Sequence, residues 1–371
     1  MKKNHSTAAV ILLIAVIVSV SCKKNTSDNT NQELIGRMKD VTDSIIRNTH
    51  VPGIIALVVD RNKGIDWLYT AGYSDIPNKL PMDPDYTIRA GSNTKTMVGT
   101  VLFQLIAEGK LSLDDTLSKF YPNYPHADIV TIAQLCNMSS GIFSYFEDPL
   151  FLEAVAQDPG RRWMPDTCIK IGLSHPLYFN PGAGWHYSQT NTYILGRLIE
   201  KLTGNSLTDE IYTRIVAPLG LVNTNLIDYG TTLPGVHGRG YYAGTYEEGA
   251  DVTEYLDAST LWAAGSAYST PRELQKYVEK LVGGGFLPDS LQQLRLQDHF
   301  ISCDMFSEYG LCLSRRGTFY GNYGDMPGFN TAMYHSNAKN CTVIISFNCQ
   351  LNVKTEYLFY RFMDILYGKD F

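Results

Sequence analysis

The sequence predicts an α+β fold, in which one antiparallel sheet is built from both chain ends and flanked by helices, with a mostly helical subdomain inserted at about residues 111–261. Three observations predict it. An apolar run near the start returns on itself through a polar turn. Short strand-like segments joined by turns follow one another near the end. Between them the chain is punctuated by Pro and Gly and carries few alternating stretches.

Taken in order, Leu34, Ile35, Met38, Val41 and Ile45 recur at helical spacing, and Pro52-Gly53 stops that helix. Ile54 to Val59 reads as a buried strand, Arg61 to Gly64 as a turn, and Ile65 to Tyr69 as the returning strand. From Thr94 onward, Met97, Val98, Val101, Leu102, Leu105 and Ile106 share one helix face, and Gly109 is placed to end that helix. Asn191 to Leu202 reads as a helix within the middle region. After Pro271 the pattern gives a helix over Arg272 to Val282, strands at Tyr309–Leu313, Thr318–Gly321, Thr331–His335 and Cys341–Phe347, and a closing helix, Tyr357 to Tyr367. Residues 32–371 are expected to form one domain.

The first residues belong to a different class of segment. Lys2 and Lys3 precede an uncharged run, Ala8 to Val18, that is too short to span a bilayer and has the shape of a secretory signal. It ends in Ser19-Val20-Ser21-Cys22, which resembles a bacterial lipoprotein cleavage box, with Ser19 where Leu is preferred. Residues 1–22 are therefore expected to be a leader, Cys22 the lipidated residue, and the polar stretch 23–31 a tether. The expected location is outside the cytoplasm, membrane-anchored through a lipid and facing the periplasm or the cell exterior.

Composition narrows the function classes. With 44% hydrophobic residues and 18% charged, the chain can bury a sizeable core, which excludes intrinsic disorder. A formal charge of −6 argues against nucleic acid as a partner. No C-x-x-C occurs, so no structural metal is expected; Cys136, Cys168, Cys303, Cys312, Cys341 and Cys349 remain after the leader, and their pairing is left open.

Several hydrolase signatures are absent: there is no G-x-S-x-G, no H-E-x-x-H and no G-x-x-x-x-G-K-[ST]. Three other elements carry chemistry. Ser92-Asn93-Thr94-Lys95 is an S-x-x-K tetrad opening the helix at Thr94. At that spacing the lysine amine reaches the serine hydroxyl, and burial with the helix dipole lowers its pKa. Ser21 to Lys24 and Ser336 to Lys339 match the same pattern, but only Ser92 opens an amphipathic helix; on spacing alone a helix cap with an exposed lysine is the commoner reading of Ser92. Tyr187 stands in a Gly-rich loop, Asn180 to Asn191, just ahead of a helix, where a phenol could shuttle protons or simply pack. Gly321 to Phe329 is a glycine-rich segment between two strands, where a ligand backbone could approach closely.

Together and in this order the three elements resemble the serine β-lactamase-like family of class C β-lactamases, DD-carboxypeptidases, D-aminopeptidases and esterases, over roughly Leu34 to Gly368. The surrounding segments VTIAQLCNMSSGI, PGAGWHYSQTNTYILGRLIEKLTG and GDMPGF are similar to that family's customary contexts. The resemblance implies a β-lactamase/transpeptidase-like fold and an acyl-enzyme on Ser92, with Lys95 as its partner and Tyr187 as general base. It also implies an oxyanion hole from the backbone N–H groups of Ser92 and Asp325, substrate contacts from Gln189, Asn322 and Gly324, and no cofactor. Gln189 replaces the Asn of Y-x-N. Asn322 replaces the Lys or His of the third motif, so the side chain expected to face a substrate carboxylate is neutral, and Asp325 adds a negative side chain nearby. Peptides and β-lactams bearing a carboxylate are thereby expected to be poorer substrates, and Arg239 and Arg272 are the next candidates to bind one. The expected partner is a small-molecule or peptide substrate. The rival reading is a non-catalytic envelope protein of the same fold that binds peptidoglycan peptides or a partner.

Overall fold

The computed structural model describes residues 29–242, 249–303, 307–350, 354–368 and 371. The leader, Cys22 and most of the tether lie outside these residues. Helix α1 covers 29–48. Among the described residues the main sheet has nine strands, all antiparallel. They are β1 (Gly53–Asp60), β2 (Ile65–Asp75), β3 (Leu80–Pro81), β4 (Ile301–Cys303), β5 (Ser307–Tyr309), β6 (Ser314–Arg316), β7 (Phe319–Met326), β8 (Phe329–Ser336) and β9 (Cys341–Phe347). Their spatial order is β3-β2-β1-β9-β8-β7-β6-β5-β4, so the two chain ends meet where Leu57 of β1 pairs with Ile344 of β9.

All eight residues of β1 are buried because both sheet faces are covered. Alternation sends Ile55, Leu57 and Val59 to one core and Ile54, Ala56 and Val58 to the other. The second core is closed by α1, through Met38 and Ile45, and by the final helix, Thr355–Tyr367, through Leu358, Phe359, Phe362 and Met363. The first core is closed by α2 (Thr94–Ala107) and by a helix at Pro271–Gly283, whose Leu274, Tyr277, Val278 and Leu281 meet the sheet. Residues 111–261 carry several helices, among them Ile132–Cys136, Pro149–Gln157, Pro165–Ser174 and α3 (Gln189–Thr203).

The sequence expectations are met for the helices before Pro52, after Thr94, at Asn191–Leu202, at Arg272–Val282 and at Tyr357–Tyr367, and for the strands at Ile54, Ile65, Thr331 and Cys341, and a few of the remaining ones need correction. α2 is not a helix with one apolar face: Thr94 to Phe103 are all buried, including Lys95. Its threonines satisfy themselves within the core, Thr96 Oγ1 donating to the Asn93 carbonyl and Thr100 Oγ1 to the Thr96 carbonyl. The strand expected at Tyr309–Leu313 ends at Tyr309, and Leu311 to Leu313 form a buried turn in which Cys312 has φ 61° and donates its N–H to the Cys136 carbonyl. Apolar periodicity cannot separate a buried turn from a short strand. The glycine-rich segment Gly321–Phe329, expected between two strands, is itself mostly strand: β7 runs to Met326 and turns at Pro327-Gly328 into β8. A helix at Asp289–Gln297 was not foreseen; it buries Arg295, whose guanidinium donates to the Thr96 carbonyl and Thr100 Oγ1 of α2.

Candidate active site

Ser92 sits on a single 3-10 turn, Gly91–Asn93, wedged between β7 and the start of α2. The turn is fixed from three sides. Asn93 Nδ2 donates to the Ala90 and Thr331 carbonyls at 2.8 and 2.9 Å, Thr94 Oγ1 donates to the Gly91 carbonyl at 2.7 Å, and the Ala267 N–H donates to Thr94 Oγ1 at 3.0 Å. Such a mount holds the hydroxyl on rigid elements rather than on a mobile loop.

Lys95 lies one turn on. Its Nζ donates to Ser92 Oγ at 3.2 Å and to the Ala264 carbonyl at 2.7 Å, and it stands 4.7 Å from the ring centre of Tyr187. Both acceptors are neutral and the side chain is fully buried, so desolvation pushes the amine well below its ordinary value. Tyr187 precedes α3 and packs edge-on against Tyr309, with ring centres 5.9 Å apart. Burial raises its phenol, and a hydrogen bond with the Ser92 side chain only partly opposes that rise. The three side chains named in the sequence reading thus converge on one point, where burial favours the neutral form of both the amine and the phenol beside the hydroxyl.

Of the other expected site residues, Gly324 of β7 packs directly on this turn: a Cβ there would lie 2.7 Å from Ser92 N and 2.1 Å from the Ala90 carbonyl. That approach brings the backbone of Asp325 beside Gly91, whose own Cβ would lie 3.3 Å from Asp325 N. The Asp325 carboxylate is paired with Lys354, so the expected free negative charge is neutralised. Asn322 departs from expectation. It is fully buried, and its Nδ2 donates to the Ser92 carbonyl at 2.8 Å, so it braces the serine turn instead of facing a substrate carboxylate. Arg239 is paired with Asp75 and Asp251, and Arg272 with Asp66. Ser336 ends β8, with its hydroxyl donating to Thr318 Oγ1 just ahead of β7.

Gln189 is the first residue of α3 and lines a cavity of about 220 Å³ that it shares with Tyr187, Trp185, His186, Phe146 and Glu147. Sequence reasoning missed Glu147 and the Ala264 carbonyl. The carbonyl carries no side-chain signal, and Glu147 is one acid among many until Tyr178 and His186 are seen to hold it. The six cysteines among the described residues are free thiols, and those of Cys136 and Cys312 hydrogen-bond to each other.

A family model described as Beta-lactamase matches residues 33–361. The chain is 26% identical over 331 residues to the "Putative penicillin-binding protein PbpX" of Bacillus subtilis (strain 168), covering 87% of this chain and 75% of that protein. Among solved structures, a D-stereospecific amidohydrolase from Streptomyces sp. superposes with a TM-score of 0.80 at 27% identity, covering 90% of this chain and 99% of that one. A D-amino acid amidase from Ochrobactrum anthropi SV3, complexed with L-phenylalanine amide, gives 0.77 at 24% identity over 92% of this chain and 98% of that one, a likeness of fold.

Proposed function

The chain belongs to the beta-lactamase family, and from that premise we propose that it is an exported serine hydrolase that cleaves an ester or amide through an acyl-enzyme on Ser92. One observation carries the reading: a buried, unpaired-by-anion lysine amine lies 3.2 Å from the Ser92 hydroxyl. As Ser92 Oγ attacks the substrate carbonyl carbon, its proton passes to the neutral Lys95 amine. The carbonyl oxygen becomes an oxyanion, met by the N–H groups of Ser92 and Asp325. Collapse breaks the bond to the leaving group, which takes a proton from the Tyr187 phenol; Tyr187 recovers one from the Lys95 ammonium. Water then enters by the same proton path in reverse and releases the acid.

This division differs from the role the family resemblance suggests for Tyr187. Burial favours the phenol over the phenolate and the amine over the ammonium, so Lys95 is the better acceptor and Tyr187 the better donor. The similarity to a D-stereospecific amidohydrolase favours an amide or peptide of D configuration as substrate. Lipidation of Cys22, with cleavage just ahead of it, is part of the proposal.

The test is covalent labelling. A fluorophosphonate should add its mass once to the intact protein, at Ser92, and Ser92→Ala should abolish both the adduct and the turnover of a chromogenic ester. A fully active Ser92→Ala variant places the chemistry elsewhere, and an unlabelled, inactive wild type favours the non-catalytic envelope protein.

A further inference from the structure

We propose that Lys354 is a positioning residue for acyl transfer: by pairing with the Asp325 carboxylate, it keeps a negative charge from opposing the oxyanion that the Asp325 N–H receives. The inference rests on the acyl-enzyme reading above. It starts from the place where β7 meets the serine turn. A Cβ on Gly324 would lie 2.7 Å from Ser92 N, and one on Gly91 would lie 3.3 Å from Asp325 N, so the two N–H groups stand close together. Covalent geometry keeps the Asp325 carboxylate within about 5 Å of the N–H of its own residue. A bare anion that near would oppose the negative charge that builds on the substrate oxygen during attack.

That charge is met from just ahead of the final helix. Lys354 Nζ pairs with Asp325 Oδ2. Asp325 Oδ1 is buried and has no hydrogen-bond partner among the described residues, so the ammonium is the compensation this carboxylate has there. The pair is half of a two-point contact. Asp325 and Asn330 stand opposite each other across β7 and β8, and they are met by consecutive residues, Asp325 by Lys354 and Asn330 by Thr355. Asn330 Oδ1 accepts the Thr355 N–H at 2.9 Å and the Thr355 hydroxyl at 2.6 Å.

The two halves have different work. Asn330 and Thr355 are buried and neutral, and their hydrogen bonds fasten the start of the final helix to the hairpin without help from Lys354. The side chains of Lys354 and Asp325 are 32% and 26% exposed, and what they add is charge. An ion pair at that exposure contributes little to stability, so scaffolding explains the first half and leaves the second unexplained. The neighbouring acid, Glu356, is already paired with Arg316, so removal of Lys354 leaves Asp325 as the uncompensated charge beside the serine turn.

The test separates charge from scaffold. In the full chain, kcat and KM for p-nitrophenyl butyrate, a neutral ester, are measured for Lys354→Met, Asp325→Asn and the double variant. Rates are expressed per site titrated by a fluorophosphonate, so that unfolded protein does not enter. Lys354→Met should lower kcat about tenfold or more with little change in KM, because the oxyanion forms only after binding, and Lys354→Arg should keep the wild-type rate. In the Asp325→Asn background the same Lys354→Met change should have no effect, since no carboxylate remains to be compensated. A phenylboronic acid, which adds to Ser92 as a tetrahedral anion, should bind about tenfold more weakly to Lys354→Met than to the double variant. If the pair is only a staple, Asp325→Asn, Lys354→Met and the double variant lose activity alike, and the inference falls; it falls equally if Lys354→Met keeps the wild-type kcat. Failure of the acyl-enzyme reading has a different signature, turnover that survives Ser92→Ala.

Discussion

Gly91 and Gly324 meet backbone to backbone: a Cβ built on Gly91 would lie 3.0 Å from Gly324 Cα, and Gly91 itself has φ 55°. The contact sets how far the serine turn stands from β7, and so whether two N–H groups can converge on one oxyanion. Gly324→Ala should push the strand off the turn. We expect a loss of about a hundredfold or more in acylation rate, the scale of a removed oxyanion donor, against a stability cost of about 1–3 kcal/mol for overpacking. Gly36→Ala in α1, where a Cβ meets nothing within 4 Å, should instead stabilise by about 0.5–1 kcal/mol and leave labelling intact. Chemical unfolding measured beside fluorophosphonate labelling separates the two effects.

Lys95→Ala and Tyr187→Phe should each reduce ester turnover by about a hundredfold or more, the usual contribution of a positioned acid or base. The losses should not add in the double variant, because both groups serve the same proton path through Ser92. Additive losses in steady-state kinetics would separate their roles.

The buried amine also makes stability depend on pH. Because the folded pKa of Lys95 lies below its unfolded value of 10.5, the unfolded chain holds a proton there that the folded chain gives up. Between the two pKa values the unfolded state binds more protons, so this group makes stability rise with pH and fall as pH drops through the window toward the folded pKa. Lys95→Met should remove that slope, seen as a flatter dependence of denaturation midpoint on pH. The acid limb of kcat/KM should likewise follow protonation of this amine.

Asn322 is expected to act through Ser92 and not through the substrate. Asn322→Leu leaves the buried Ser92 carbonyl without its donor, which should cost about 1–3 kcal/mol of stability and slow labelling. Nitrocefin and a neutral aryl ester should be slowed alike by Asn322→Leu, because the side chain braces Ser92 and does not meet the substrate carboxylate. Asn322→Lys would bury a cation against the serine turn, and we expect it to lower labelling with every substrate; a selective gain for nitrocefin would show that the side chain reaches the cleft.

Much of the fold could be read from order along the chain. The polar turn at Arg61–Gly64 between two apolar runs, the alternating segments after residue 307 and the helical period from Thr94 are local patterns, and local patterns follow from backbone geometry. The convergence of Ser92, Lys95 and Tyr187 was legible for a related reason: Ser92 and Lys95 lie three residues apart on one turn, and Tyr187 stands in a loop pinned ahead of α3. What tertiary structure alone decided is which polar groups lost their water. Lys95 is cut off from water because its stretch of α2 is enclosed, and the Ala264 carbonyl, 169 residues away, accepts a hydrogen bond from it. Asn322 braces Ser92 across 230 residues, Lys354 cancels Asp325, and Glu147 is hydrogen-bonded by Tyr178 and His186 from a different part of the chain. Desolvation and pairing at such separations depend on the packed arrangement of distant segments, and no window of sequence contains them.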